Sequence, residues 1–549
     1  MKKLIFILLF LAANGLFAQQ FGLIEKTYEI TGKAKRGTLV NVKYDPAKQH
    51  YFLYYTISSG PMSLSMQTYT FDKDFNFVDM KTDELNVDKL QEMKKLNPVD
   101  FGWVNYSGAS YSVEGTSVEP NLIGTLVLKK KRINYVYDWF NMGYVKTIQI
   151  LEKVKPKNDE GTKFYYFTHF EDDSNGDVYI LCGARDQVKK GGDPLKYHRD
   201  IHVLKFNKDL DMVKDLKIPF DYYNGYCYAK AITEGTGGDD DYSAIKEMIF
   251  VFAPYDLGKT NKDPDLTNYT YVRLDKDLNL TERIPFKSKA GYWNIDYILA
   301  TNDAVYAFGP LASGKNDYYN KLIGKVSKYK SVQLMKVAGG KVEYLTETTL
   351  DEFEAKLKTP PSQKKAPNYE GKKFDIMNYR IFDNGDFIVV GQNYKMVTKP
   401  KGPTVTNFSL SSSTDMETVK QYIDILAFHF DSKGMLKAQY GLDVKENNEY
   451  AKDNGTPQSM ITGINPNNTY WIVQEIKAKS DFFKKILTYP RVGKIDMNAG
   501  TLSDFTSFGD KEYFLDPKFP YLEAEPGMLV FFGSNKSGKV IWFAKIKLE

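Results

Sequence analysis

The chain has 549 residues, of which 42% are hydrophobic and 26% are charged. This composition supports a buried core and excludes an intrinsically disordered protein. The formal net charge of +5 is small for this length and gives no reason to expect nucleic acid as the partner. Aromatic residues make up 15% of the chain, with 40 Tyr and 35 Phe. Strands favour such side chains, so the composition favours a β fold.

The first 18 residues have the pattern of a secretory signal peptide. Lys2 and Lys3 form a positive segment, the apolar run LIFILLFLAA begins at Leu4, and Ala18 is the expected last residue removed. The apolar run is well short of a bilayer span, so we expect cleavage rather than anchoring. No later segment is apolar enough to span a membrane. The sequence predicts an exported protein, with the periplasm favoured over the outer surface or the medium.

One hairpin motif recurs along the rest of the chain. Its clearest copies are FDKDFNFVDM from Phe71, FNKDLDMVKD from Phe206 and LDKDLNLTER from Leu274, and weaker copies begin at Met335, His429 and Lys494. Each copy has an apolar residue, a short polar turn and a stretch in which apolar and polar residues alternate. Asp and Asn suit such turns because their side chains bond nearby backbone and tolerate left-handed dihedral angles.

A second motif precedes the first in each unit. It is a polar turn followed by an apolar strand that often ends at Gly, as in DSNGDVYILCG ending at Gly183, ATNDAVYAFG ending at Gly309 and FDNGDFIVVG ending at Gly391. Together the motifs predict a unit of strand, tight turn, strand, long loop, strand, tight turn, strand. Such a unit is a four-stranded antiparallel meander.

The repeated units resemble the β-propeller superfamily in general, although no named blade signature is present. The resemblance implies an all-β propeller of four-stranded antiparallel blades over residues 19–549, as a single domain. Eight blades are favoured, and LIEKTYEI from Leu23 would supply the strand that the last unit lacks. Seven blades result if the unit containing Leu122 to Phe140 is an insertion. Its KKKR run, Lys129 to Arg132, is interpreted as a solvated turn. Two separate β domains are the weaker alternative.

Few segments depart from this pattern. Charged helical stretches begin at Thr82 and Leu350, and we interpret both as loop insertions. The two cysteines, Cys182 and Cys227, lie in strand-like stretches. Export permits a disulfide, so two buried thiols and one bridge both stay open.

The candidate binding residues come from the long loops. The tight turns of a propeller lie on one face, and the remaining loops, which are long here, lie on the other. We call these the tight-turn face and the long-loop face. Binding and catalytic residues are found more often on loops that a rigid scaffold holds in place. The predicted ligand-binding residues are Arg185, Tyr255, Asp256, Tyr318 and Tyr394.

Motifs for catalysis and metal binding are not recognisable. His198 and His202 are four residues apart, but on a strand this spacing separates them by about 13 Å. The stretch EDDSNGD from Glu171 fails as a calcium loop because Cys182 stands where the bidentate Glu is needed. We therefore predict no catalytic residue, no metal and no cofactor.

The predicted function is that of an exported, monomeric, non-enzymatic propeller that binds a protein or glycan of the cell envelope through its long-loop face. The alternative is a glycan-acting hydrolase or lyase with carboxylates and Tyr at the channel mouth. A structural module without a ligand is the third hypothesis.

Overall fold

A computed structural model describes most of the chain after the predicted signal peptide. The described residues are 21–59, 63–86, 111–121, 124–138, 143–184, 198–235, 243–254, 267–289, 293–301, 303–312, 329–400, 404–406, 409–411, 416–442, 449–479, 486–509 and 512–549. The signal peptide therefore lies outside the described residues and stays a prediction.

The described residues begin with one strand and one short helix, followed by two antiparallel sheets. Strand β1 (Ile24–Glu29) precedes helix α1 (Gly32–Arg36). Unit A contains β2 (Thr38–Asp45), β3 (His50–Ser59), β4 (Ser63–Asp72) and β5 (Phe77–Asn86), paired in chain order. Unit B has three strands in the described part of the chain: β6 (Tyr111–Pro120), β7 (Leu126–Asp138) and β8 (Gly143–Val154).

A seven-stranded sheet then combines two meanders. Its strands are β9 (Phe164–Glu171), β10 (Val178–Ala184), β11 (His198–Phe206), β12 (Met212–Gly235), β13 (Ser243–Pro254), β14 (Asn268–Asp275) and β15 (Leu280–Lys287). The 24-residue strand β12 pairs with β11 through its first half and with β13 through its second half. We call β9 to the first half of β12 unit C, and the second half of β12 to β15 unit D.

Units E and F follow with the same strand order. Unit E contains β16 (Tyr297–Ala300), β17 (Val305–Ala312), β18 (Tyr329–Ala338) and β19 (Lys341–Thr349). Helix α2 (Leu350–Ala355) and β20 (Leu357–Lys358) lead into unit F, which contains β21 (Lys373–Ile381), β22 (Phe387–Pro400), β25 (Met416–Phe430) and β26 (Leu436–Leu442). Two short strands, β23 (Thr404–Thr406) and β24 (Ser409–Ser411), pair with each other between β22 and β25.

The last two units complete the chain. Helix α3 (Glu449–Asp453) precedes unit G, which contains β27 (Gln458–Thr462), β28 (Asn468–Lys479), β29 (Ile486–Asp496), β30 (Thr501–Leu502) and β31 (Thr506–Ser507). Unit H contains β32 (Tyr513–Leu515), β33 (Tyr521–Glu525), β34 (Met528–Asn535) and β35 (Val540–Lys547). Strand β1 pairs antiparallel with β35, from Ile24 opposite Lys545 to Glu29 opposite Val540. The predicted closure of the last unit by the N-terminal strand is confirmed.

Buried side chains join neighbouring units from unit B to unit H, and unit H to unit A. Seven apolar clusters each combine residues of two neighbouring units: Leu128 with Val178, Leu181 with Phe250, Val251 with Val305, Phe308 with Phe387, Ile388 with Trp471, Tyr470 with Phe531, and Phe543 with Phe71. Unit H thus packs against unit A as well as against unit G. This stacking of antiparallel meanders, with the two chain ends in one sheet, is the organisation of a β-propeller. Because unit B has only three described strands, the choice between eight and seven blades stays a prediction.

The predicted turns share one hydrogen-bond pattern. In the first copy, the Asp72 carboxylate accepts from the backbone N–H groups of Asp74 at 2.9 Å and Asn76 at 2.8 Å. Asn207 and Asp275 accept from the residues two and four positions later in the same way. The fourth residue of each turn has a positive φ, 60° at Phe75, 65° at Leu210 and 56° at Leu278. The local chemistry of the motif therefore sets the turn.

Contacts between an acidic and a basic side chain recur beside these turns, at equivalent positions of units C, D and F. An acidic residue at the tight-turn end of the second strand meets a basic residue near the end of the third strand: Asp177 with Lys205 at 3.2 Å, Glu247 with Arg273 through Nε at 3.0 Å, and Asp386 with His429 at 2.8 Å. In these three units the repeat thus extends beyond the turn residues.

The basic run in unit B is not a turn, so that prediction is wrong. Strand β7 passes straight through Lys129 to Arg132. On the neighbouring strand, Glu119 accepts from Lys129 at 2.7 Å and from Lys131. These bonds lower the pKa of Glu119 to about 2. A cross-strand carboxylate makes the basic run compatible with a strand.

The helix predicted at Leu350 is confirmed as α2. Thr349 and Glu352 form a reciprocal capping box, in which the Thr349 N–H donates to the Glu352 carboxylate at 2.7 Å. For the other predicted helix, Thr82 to Asn86 belong to β5, and the remainder lies outside the described residues. Cys182 is a buried free thiol, and the side chain of Cys227 lies outside the described part of the structure.

Candidate functional site

The structure describes one of the five predicted ligand-binding residues. Arg185, Tyr255, Asp256 and Tyr318 lie outside the described residues. Tyr394 lies on β22, opposite Tyr422 of β25 and next to Lys373 of β21. It is placed where β22 leaves unit F toward the loop to β25, which is the long-loop face.

Tyr394 is a partly buried ring with a cation on one side. The Lys420 ammonium lies 4.7 Å from the centre of the ring. The Tyr422 ring lies 6.1 Å away at 52°. Burial, followed by the charges of Asp375 and Asp296, raises the pKa of Tyr394 to about 12. The phenol is therefore neutral at physiological pH and offers a ring and a hydroxyl group.

Asp375 is the charged centre beside Tyr394, and it was not predicted. Its Oδ2 accepts from Lys420 Nζ at 2.7 Å and from the Tyr422 hydroxyl at 2.7 Å. Burial, followed by this hydrogen bond, raises the pKa of Tyr422. Side chains from three strands, β21, β22 and β25, thus interact with one another at this position.

The first strands of successive units are tied together next to this group. In unit D, Lys230 Nζ donates to the carbonyl of Ile298 in unit E at 2.8 Å. The Tyr297 hydroxyl of unit E donates to the carbonyl of Ile376 in unit F at 3.0 Å. Burial lowers the pKa of Lys230. First strands line the channel of a propeller, so these bonds fix the channel wall at units D to F.

Further tyrosines belong to the same wall. Burial raises the pKa of Tyr297, with a further contribution from Asp375. Tyr379 of β21 is 38% exposed and lies close enough to Tyr228 of unit D to affect its pKa, after burial and Asp296. We call five of these residues the channel-mouth cluster: Tyr297, Asp375, Tyr394, Lys420 and Tyr422.

A β-ribbon extends the cluster outward. Beyond Tyr394 and Tyr422, β22 and β25 stay paired to Pro400 and Met416. Lys399 holds this ribbon against helix α3 through Asp453 at 2.9 Å. Met396 on the ribbon is exposed. The long-loop face therefore carries a ribbon that stands beside the channel.

The two buried histidines, His202 and His429, contact structural partners. His202 is buried and its Nδ1 lies 2.7 Å from Asp215. His429 is buried between Asp386 at 2.8 Å and the Tyr440 hydroxyl at 3.5 Å, and burial lowers its pKa. In the described part of the chain, no three side chains of His, Cys, Asp or Glu are grouped closely enough to hold a metal ion.

Little in the amino-acid sequence indicated the site residues that were not predicted. Asp375 stands in GKKFDIMNY, which has no turn motif. Lys420 and Tyr422 lie where polar residues alternate before the apolar part of β25. Only the pairing of Tyr394 with Tyr422 brings these positions together, and one sequence does not show that register.

No family model and no curated protein sequence is similar to this chain. Similar solved structures include a variant of the Synechocystis apocarotenoid oxygenase, with 11% identity, a TM-score of 0.29, and coverage of 84% of this chain and 96% of that chain. The WD40 domain of SCAP from fission yeast has 8% identity, a TM-score of 0.24, and coverage of 95% and 98%. The Neurospora crassa Pan2 WD40 domain has 7% identity, a TM-score of 0.24, and coverage of 81% and 91%. At these values, the similarities indicate no activity or ligand for this chain.

Helices contribute little to the described part of the chain. The longest one there, α2, has six residues. None of the helices in these residues has the length and apolar character needed to cross a membrane.

Proposed function

We propose that this chain is an exported β-propeller that binds a protein or glycan partner of the cell envelope through its long-loop face, without catalysing a reaction. The channel-mouth cluster carries the proposal. It combines partly exposed tyrosines with a charged pair, Asp375 and Lys420, at the face where the long loops meet. Packing of the blades against each other needs no such group, whereas binding sites combine aromatic rings with a few fixed polar groups.

The contacts of Asp375 support binding rather than hydrolysis. Its Oδ2 atom accepts from the Lys420 ammonium and from the Tyr422 hydroxyl, each at 2.7 Å. A glycosidase instead needs a carboxyl group that donates to the leaving oxygen of the substrate. Because two side chains of the protein already bind Asp375, it suits a positioning or binding role.

A pull-down with the mature chain tests this proposal. The chain, immobilised after signal removal, should retain a component of a cell-envelope extract. Lys420→Glu places a second negative charge beside Asp375 and should abolish retention. Lys276→Glu is the matched control, because Lys276 is an exposed lysine of the tight-turn face. Equal retention by both variants contradicts a site at the long-loop face.

A glycan-acting hydrolase or lyase is the second candidate. It is favoured by one observation, that Asp296 and Asp375 both lie near enough to Tyr394 to raise its pKa in addition to burial. Two carboxylates beside a tyrosine could divide acid and base roles. Release of reducing ends from an envelope polysaccharide, abolished by Asp375→Asn, would support this candidate over simple binding.

A further inference from the structure

An open cavity of about 550 Å³ lies between units C and D, away from the channel-mouth cluster. One wall is the end of the outer strand of unit C, at Phe220 and Tyr222 of β12. The other wall is formed by the start of β14 and the end of β15, the outer strand of unit D. We call this space the rim cavity. Its volume is in the range of small-molecule sites, about 300–1,000 Å³.

Arg283 of β15 connects the two walls of the rim cavity. Its guanidinium carbon lies 5.0 Å from the centre of the Phe220 ring, and its Nη2 donates to the Pro219 carbonyl at 2.7 Å. Nearby, the Tyr222 hydroxyl of unit C lies 3.3 Å from the Thr270 hydroxyl of unit D. The lining residues therefore form one surface, and Arg283 is held in position before a ligand binds, which lowers the entropic cost of binding.

Arg283 differs from the other arginine of its hairpin. Arg273 forms an ion pair with Glu247. In the described part of the chain, the contacts of Arg283 are one backbone carbonyl and one ring, and no carboxylate pairs with it. A guanidinium has five N–H donors in a planar fork that matches a carboxylate. Most of these donors thus stay available to a ligand at the rim cavity.

The remaining charges of the lining select among anions. Besides Arg283, the charged side chains there are Lys287 and Asp221. Two cations and one anion leave one net positive charge, which a single carboxylate neutralises. A dianion such as phosphate would exceed this charge and would be repelled by Asp221.

We propose that the rim cavity binds a small organic acid, with its carboxylate on Arg283 and its apolar body against Tyr222 and Pro285. Pro285 also lines the cavity, and it stands opposite Thr270 in the register of β14 and β15. A tyrosine ring and a proline ring offer apolar surface beside the charged group. This site goes beyond the proposed function and does not depend on it.

Ligand-observed NMR titrations of the mature chain test the proposal. The probes are benzoate, phenylacetate, 3-phenylpropionate and hexanoate, each compared with its own primary amide. At least one acid should bind, and its amide should bind at least about tenfold more weakly, which corresponds to about 1.4 kcal/mol. Acetate, which lacks the apolar body, and inorganic phosphate should bind more weakly than that acid. The affinity for the acid should fall as salt is added.

Two substitutions of Arg283 locate the site. Arg283→Gln should weaken binding of the acid about tenfold, and Arg283→Lys, which keeps the charge but loses the fork, should have an intermediate effect. Arg380→Gln is the matched control. Arg380 also lies over a ring, 5.8 Å from the centre of Phe382, and donates to the Met460 carbonyl at 3.3 Å, but it does not line the rim cavity. In the original chain, the bound acid should protect Arg283 from modification by 2,3-butanedione, as measured by peptide mass spectrometry.

Several outcomes would overturn the proposal. They are equal affinity for an acid and its amide, no binding of any of the four acids, tighter binding of phosphate or acetate than of every acid, and binding that Arg283→Gln leaves unchanged. Lys420→Glu, which tests the proposed function, should leave binding of the acid unchanged. The site at the rim cavity and the site at the channel mouth can therefore fail separately.

Discussion

Two turns of the tight-turn face have the same hydrogen bonds but a different fourth residue. In unit A, Asp72 begins the turn and Phe75 is its fourth residue. In unit F, Asp431 begins the turn and Gly434 is its fourth residue. In both turns, the side chain of the first residue accepts hydrogen bonds from the backbone N–H groups two and four positions later. The fourth residue has a positive φ, 60° at Phe75 and 76° at Gly434.

In both turns an aromatic ring fills the space beside the fourth residue. In unit A the ring belongs to the turn itself, and in unit F it belongs to the neighbouring unit. Phe75 is 3% exposed and stacks on Phe543 of unit H, with ring centres 4.7 Å apart. At Gly434, a Cβ atom would lie 2.4 Å from Cε2 of Tyr344 in unit E. The Thr346 hydroxyl of unit E also donates to the Gly434 carbonyl at 2.6 Å.

The two turns thus share a filled space beside the fourth position, although the residue at that position differs. Where the neighbouring unit supplies the ring, the turn uses Gly and avoids backbone strain. Where the neighbour leaves room, the turn places an apolar residue in the left-handed region in spite of a strain of about 1–2 kcal/mol. Burial of the ring offsets that strain.

Removing the ring from the unit A turn should have the largest effect. Phe75→Ala should lower the free energy of unfolding by about 3–5 kcal/mol, as for other buried phenylalanines. Phe75→Gly should be no less stable than Phe75→Ala, because Gly adopts the positive φ freely. Urea denaturation measures both. Thr68, in an ordinary strand position of β4, is the control, and there Thr68→Gly should be about 0.5–1 kcal/mol less stable than Thr68→Ala. If the Gly variant were also the less stable one at position 75, a role for the positive φ of the turn would be contradicted.

Adding a side chain to the unit F turn should be the next largest change. Gly434→Leu should destabilise by about 3 kcal/mol, since Tyr344 occupies the space and the φ is positive. The control is Gly339→Leu, where φ is 57° but nothing lies within 4 Å of the added Cβ, so only strain is added. Combining Gly434→Leu with Tyr344→Ala should recover part of the loss in urea denaturation. Strictly additive effects would show that the two residues do not share the space.

The paired side chains of the turns allow a smaller and more specific test. Asn279 Nδ2 donates to Asp275 at 2.9 Å, whereas in unit C the pair is reversed, with Asn207 Nδ2 donating to Asp211 at 3.0 Å. Asp275→Asn should therefore cost about 1 kcal/mol, and the double change Asp275→Asn with Asn279→Asp should recover it. A double-mutant cycle in urea measures the coupling. A double variant as unstable as Asp275→Asn would reject the interchangeable pair.

The smallest expected effect is a pH dependence. At Asp275, burial alone would raise the pKa, but the hydrogen bonds from Asn279 and Asp277 outweigh it and the net pKa is lowered from 3.8. The stabilisation is therefore fully present above the unfolded pKa and is lost as the pH falls through the lower folded value. Denaturation curves across the acid range should show a slightly smaller acid-induced loss of stability in Asp275→Asn than in the original chain. Identical acid profiles would exclude a contribution from this carboxyl group.

The sequence predicted those parts of the fold that short-range chemistry determines. The turns at Asp72, Asn207 and Asp275 carry their acceptor and its targets within five residues, and the helix at Leu350 carries its capping box. The closing role of β1 followed from the strand that the last unit lacked. The KKKR run was misinterpreted because its partner Glu119 lies on another strand.

The candidate site was less predictable for the same reason. Tyr394 follows the apolar part of β22 in the sequence, so it could be placed at the long-loop face. Asp375 and Lys420 lie 45 positions apart in the chain and meet only through the side-by-side arrangement of β21, β22 and β25. Their contact depends on strand register, which alternation of polar and apolar residues specifies only to within a shift of two.

The pairing of β1 with β35 has a consequence for the order of events during synthesis. Ile24 and its partner Lys545 are 521 positions apart in the chain, so Ile24 is synthesised well before Lys545. At ordinary elongation rates, of about 5–20 residues per second, β1 waits on the order of a minute for that partner. During this interval it is an unpaired edge, on which Glu25 and Glu29 point to the exposed side. Like charges on an unpaired strand oppose its pairing with a second nascent chain. These glutamates therefore oppose aggregation while the chain is being synthesised.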